Sequence, residues 1–139
     1  YKLHPLINNE SSKSKLMLSL PENCSFIDQS FSESLFNSNL VISTGISGTI
    51  YESLARGIPV IIFEDPNGFS FSVIPDNISK QIWRYCRTYQ DISESIEYYS
   101  SLPKEELVRL KEIGSNIRQE YFEPVTKKGV YRFLELDDQ

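Results

Sequence analysis

The stretch VISTGISGTIYESLARGIP, residues 41–59, constrains this chain more than any other. An apolar run at residues 40–43 stops at a cluster of Ser, Thr and Gly. Helical spacing then begins near Thr49, with Ile50 beside Leu54 and Tyr51 beside Ala55, each pair four residues apart on one face. Gly57 followed by Pro59 is a helix exit, and residues 59–63, PVIIF, form a second apolar run of strand length. Strand, helix and strand in this order make a βαβ unit, and the two strands of such a unit pair in parallel.

The rest of the chain is read around that unit. Residues 24–27, in NCSFIDQ, are predicted to be a further buried strand, and residues 1–3 the tail of an earlier one. Helical spacing is weak at 14–20 and clearer at 31–37. Beyond Pro66, residues 82–86 read as a short edge strand and 91–101 as a helix with Asp91 as N-cap. Residues 104–121 form a longer amphipathic helix carrying Leu107, Leu110, Ile113 and Ile117, and 126–136 a last one with Val130, Phe133 and Leu134 on one side. The expectation is a single α/β domain over residues 1–139: a Rossmann-like parallel sheet flanked by helices, helical from about residue 91 onward.

Composition excludes some classes. With 40% apolar and 24% charged residues in 139, a folded globular domain is expected rather than disorder. No apolar run approaches the roughly 20 residues of a spanning helix. The net charge of −5 and scattered basic residues, with Lys127-Lys128 the only adjacent pair, argue against a nucleic-acid partner. Cys24 and Cys86 lack metal-ligand spacing, so no zinc site and no disulfide framework is expected, and both read as reduced thiols. The opening on Tyr1, without Met, reads as a piece of a longer protein.

The loop between the first strand and the helix carries the chemistry. Ligands of open parallel sheets bind at the carboxyl ends of the strands. Gly45 and Gly48 let backbone amides come close to a ligand, and the helix start adds unpaired N–H donors and partial positive charge, which suits a phosphate. Rival motifs fail on their residues. A Walker loop needs a lysine after its second glycine, and GxGxxG is absent. GISGT lacks the last glycine of a serine-nucleophile elbow, and the lone histidine, His4, lies on the wrong side of the serine in chain order.

The run STGISGTIYESLARGIPVII resembles the donor-site signature of GT-B-type glycosyltransferases, a Gly/Ser-rich loop followed by a helix bearing E-x-L-A-x-G-x-P-V-I. KLHP at residues 2–5 is similar to the HP motif of bacterial sialyltransferases and of related capsule and polyol-phosphate polymer transferases. The resemblance spans about residues 1–65 and implies the C-terminal, nucleotide-sugar-binding domain of such an enzyme, without its first strand and helix and without the acceptor-binding N-terminal domain. It implies a donor phosphate site at His4, Gly45, Ser47, Gly48 and Thr49, and a ribose acceptor at Glu52. No metal and no cofactor beyond the donor substrate is implied. The catalytic base of inverting members belongs to the absent half, so no base is assigned and no turnover is expected of this piece alone. The implied function is transfer of a sugar or polyol phosphate from a nucleotide-activated donor, a cytidine nucleotide favoured, to an acceptor hydroxyl in surface polysaccharide assembly. The implied location is cytoplasmic, with attachment to the inner face of the membrane left open. A nucleotide-sugar epimerase of the same fold and a degenerate, non-catalytic interaction domain stand as alternatives.

Simpler readings of the same residues stand beside these. Thr49 and Glu52 match a capping box, the two glycines a plain strand-to-helix turn, and Ser47 a local hydrogen-bonding turn residue. His4 could be solvated, and Glu64-Asp65 either a donor-sugar contact or a solvated turn. Trp83, Tyr85, Tyr89 and Tyr98-Tyr99 read as core and interface residues rather than a stacking platform.

Overall fold

VIIF contains no polar residue, and in the fold it becomes the middle strand of a three-stranded parallel sheet. The computed structural model describes residues 14–15, 21–44, 47–64, 74–122 and 124–134. Two units divide the chain, Tyr1–Asn37 and Ser38–Gln139. In the first, α1 (Phe31–Ser34) runs into a 3-10 turn, Leu35–Asn37. In the second follow β1 (Val41–Thr44), α2 (Gly48–Ala55), β2 (Val60–Phe63), β3 (Trp83–Cys86), α3 (Tyr89–Ser100), α4 (Lys104–Tyr121) and α5 (Lys127–Phe133). The architecture is α/β and Rossmann-like.

The strands lie in the order β1-β2-β3, with Val41, Val60 and Trp83 on one level and Thr44, Phe63 and Cys86 on another. Because side chains alternate across a strand, Val60, Ile62 and Trp83 face one way and Ile61 and Cys86 the other. The first set packs with Ile50, Leu54, Leu110 and Ile117 of α2 and α4; the second packs with Tyr99 of α3. Helices thus cover β2 on both sides, which is why its sequence shows no alternation. Between β2 and β3 the described part of the connection contributes Ile74, Ile78 and Ile82 to the α2 side of the core.

Packing of α2 against α4 rests on two glycines. Gly57, at φ +70°, ends α2. Its amide donates to the Leu54 carbonyl at 2.9 Å and the Ile58 amide to Ser53 at 3.1 Å, the paired bonds of a Schellman turn. The next carbonyls are closed from α4: Arg118 donates to Ala55 at 3.2 Å and Lys111 to Arg56 at 3.0 Å. With Tyr51 against Tyr121 at the other end, the two helices run antiparallel. At their crossing a Cβ on Gly114 would fall 2.3 Å from the Gly57 amide nitrogen, and one on Gly57 2.7 Å from the Lys111 Cα. Only hydrogens fit there.

Several sequence expectations need correction. Residues 24–27 are not a strand: the Cys24 amide closes a turn onto Pro21 at 2.9 Å, and no described strand pairs with the run. The 31–37 helix is a single α turn, boxed by Ser30 and Glu33, before the 3-10 turn. Asp91 is not an N-cap. Thr88 is, and Asp91 is its capping-box partner three residues on. The backbone amide of Arg87, then the hydroxyl and amide of Thr88, hold the Asp91 carboxyl below its ordinary range. The last helix is shorter than residues 126–136, with Thr126 as N-cap and Leu134 as C-cap; its Val130, Phe133 and Leu134 are all exposed. The possible strand at residues 1–3 lies outside the described residues. Of the aromatics, Trp83 and Tyr99 are core, whereas Tyr89 is 94% exposed and lies outside it.

Two stability outcomes follow. Gly114→Ala gains helix propensity of roughly 1 kcal/mol but drives a methyl into backbone that cannot swing aside. It should lose about 3 kcal/mol net in a urea unfolding curve; wild-type stability would show that the helices can part at no cost. Tyr99 is a different case: its hydroxyl is buried, no group among the described residues meets hydrogen-bond geometry with it although the Arg84 guanidinium is near, and burial, outweighing Arg84, pushes its pKa up to about 12. Tyr99→Phe keeps the ring and removes the desolvated group, so stability should rise by about 1 kcal/mol.

Candidate functional site

Three residues separate the end of β1 from the α2 start, which lies at the carboxyl edge of the sheet. Ser47 is its N-cap, in extended conformation. The Ser47 hydroxyl accepts from the Thr49 amide at 3.3 Å and shares a 2.7 Å hydrogen bond with the Thr49 hydroxyl. The Ile50 amide bonds the Ser47 carbonyl at 3.1 Å. One turn deeper, the fully buried Ser53 returns its hydroxyl to the Thr49 carbonyl at 2.7 Å. The helix start is therefore a tight hydroxyl cluster, and an anion arriving there competes with Ser47 for the Thr49 amide.

Gly48 is the first residue of α2, and among the described residues nothing lies within 4 Å of where its Cβ would be. No close neighbour among the described residues and no left-handed φ demands glycine at this position. The contrast with Gly57 and Gly114 is direct, since packing forbids a side chain at both.

Glu52 sits a turn further on and is ion-paired with Arg56 at 3.1 Å, both side chains about one-third exposed or less. It cannot close a capping box with Thr49. The helix begins earlier than its apolar spacing suggests, so Ser47 caps it and the third helical residue is Ile50. Glu52 instead lines an open groove of about 550 Å³ with Ala55, Arg56, Arg118, Phe122 and Pro124. The groove thus joins α2 to the end of α4; Ser47, Gly48 and Thr49 are not among its walls.

Of the residues expected at the site, the structure brings Ser47, Gly48 and Thr49 together and places Glu52 one turn away. His4 and Gly45 lie outside the described residues. Glu64 is not a solvated turn residue: its side chain is mostly buried and ion-paired with Arg87 at 2.9 Å. Arg118, Phe122 and Arg87 were not singled out from sequence. They meet α2 or β2 only through tertiary packing, whereas Arg56 was legible as an i,i+4 partner of Glu52. Among the described residues no His, Cys, Asp or Glu cluster could hold a metal, and no helix is long and apolar enough to cross a membrane.

Comparison with protein-family models, curated proteins and solved structures gives no match.

The two residues at the helix start should separate in stability measurements. Ser47→Ala removes the N-cap acceptor and should cost about 1 kcal/mol. Gly48→Ala meets open space and should leave the unfolding midpoint unchanged or slightly raised. A strongly destabilised Gly48→Ala would show that glycine is needed there for folding.

Proposed function

We propose that this chain is the donor-binding domain of a GT-B-type glycosyltransferase, binding a nucleotide-activated sugar or polyol phosphate through the start of α2. The observation that carries the reading is Gly48: among the described residues neither packing nor backbone conformation accounts for its missing side chain. At a helix N-terminus on the carboxyl edge of a parallel sheet, such a gap suits the close approach of a phosphate. The resemblance of residues 43–62 to the family's donor-site signature supports the same assignment.

In this reading the backbone donors at Gly48 and Thr49, with the Ser47 and Thr49 hydroxyls, take the phosphate oxygens. Ser47 turns its hydroxyl from the Thr49 amide to the ligand. Glu52 accepts hydrogen bonds from the ribose hydroxyls and shares its carboxylate with Arg56. As an acceptor hydroxyl displaces the nucleotide, charge grows on the leaving phosphate, and the helix start stabilises it without reorganising. An acceptor-binding partner domain, a cytidine nucleotide as donor, and a role in surface polysaccharide assembly inside the cell belong to the same proposal.

The test is an amide-shift titration with CMP, CDP, UDP and GDP. Shifts should concentrate at residues 45–52, with affinity on the order of 0.1–1 mM, equivalent to roughly 4–5.5 kcal/mol, cytidine nucleotides binding best. Glu52→Gln should weaken ribonucleotides more than their 2′-deoxy counterparts, and Gly48→Val should abolish binding while the protein stays folded. No shift at residues 45–52 with several millimolar of any nucleotide would refute the assignment.

A further inference from the structure

The last helix, α5, is ordered without a core of its own. None of its residues is buried, and none belongs to either apolar cluster. Isolated helices shorter than about 12 residues are marginal in water, and Gly129 lowers the propensity of this one further. The Thr126 hydroxyl, which accepts from the Gly129 amide at 3.0 Å, ties down only its first turn. A helix of this length calls for a surface to lie on.

Its own pattern says what that surface is. Val130 shares a face with Phe133 and Leu134, three and four residues on. The three are 41%, 86% and 54% exposed, and Val125, just before the N-cap, is 94% exposed. Arg132, two residues from Val130, lies on the opposite side. Lys127 and Lys128 open the helix, and no carboxylate among the described residues pairs with either. The Lys127 ammonium stands over the Tyr131 ring at 5.2 Å, which orients it without neutralising it. Directly after the C-cap, Leu134, the sequence turns acidic with Glu135, Asp137 and Asp138. Cations at the start and anions past the end are the reverse of what a helix dipole favours. This order of charge does not serve α5 by itself.

We propose that α5 is a self-association surface, on which a second copy of the chain lays its own α5 antiparallel across Val130, Phe133 and Leu134. A two-fold contact needs a patch complementary to itself, and basic end, apolar centre, acidic end is such a patch once one copy is reversed. Lys127 and Lys128 of each copy then lie beside Glu135, Asp137 and Asp138 of the other, so each charged end meets its opposite. A surface of one sign, such as an anionic lipid headgroup layer, would attract one end and repel the other. A face of so few side chains buries less than the roughly 1,200 Å² of a stable complex. The dimer is therefore weak, with a dissociation constant on the order of 0.1 mM. Nothing in this inference depends on the donor-binding reading.

The experiment is sedimentation equilibrium of the whole chain across roughly 10 µM to 1 mM, a range that brackets such a constant. A monomer–dimer equilibrium is expected, with amide shifts on dilution concentrated at residues 125–134. Phe133→Ser should weaken it about tenfold or more, through the loss of one buried aromatic ring. The double variant Lys127→Glu/Lys128→Glu should also weaken it, and so should Glu135→Lys/Asp137→Lys. Mixing these two double variants should restore association as a heterodimer, which damage to the helix alone could not do. The substituted side chains lie outside both apolar clusters, so the urea midpoint of the second unit should not move. The proposal is overturned if the chain stays monomeric throughout, if Phe133→Ser associates as strongly as the wild type, or if the mixture fails to associate.

Discussion

The contact between Gly57 and Gly114 is the constraint on which the second unit depends. Two backbones meet where a single methyl group would lie 2.3 Å from a peptide nitrogen. That closeness lets Leu110 and Ile117 reach the sheet alongside Ile50 and Leu54 as one apolar layer. It also brings Arg118 and Lys111 within reach of the last carbonyls of α2, groups that any helix end must satisfy somehow. The left-handed residue that ends α2 therefore serves twice. It turns the chain into β2, and it presents a surface flat enough for a second helix.

Set beside that pair, Gly48 has a different physical character. Gly57 and Gly114 are glycines because the interior leaves no room; around Gly48 the described residues leave room for a side chain. A structure argues for a binding role most strongly where its own packing fails to explain a costly residue. Distinguishing the two kinds requires coordinates, because the letters alone are the same.

What could be read from the sequence was local. Residues 41–63 announced strand, helix and strand because their apolar spacing, their glycine exit and their proline all sit within a few residues of one another. The 104–121 helix was legible over its whole length for the same reason. The misreadings fall where one choice hung on a neighbour. NCSFIDQ has the letters of a buried strand but no ladder to join, and a strand is defined by its partner. Asp91 and Thr88 can each cap a helix, and the reciprocal bond between them fixes which one does. The ion pair of Glu64 with Arg87 and the cap of Ala55 by Arg118 span 23 and 63 residues of chain. No periodicity within a single element foretells either.

The way α4 closes the end of α2 has a consequence for motion. If α4 lifted from the sheet, α2 would lose in one event its apolar cover, the two cationic side chains on its terminal carbonyls and the neighbour that fills its flank. A helix of eight residues cannot persist alone in water. The two helices are therefore a single cooperative unit of opening, and their amides should exchange with solvent at a common, slow rate. The rigidity with which Ser47 is held at the sheet edge is then set by the far longer helix behind it.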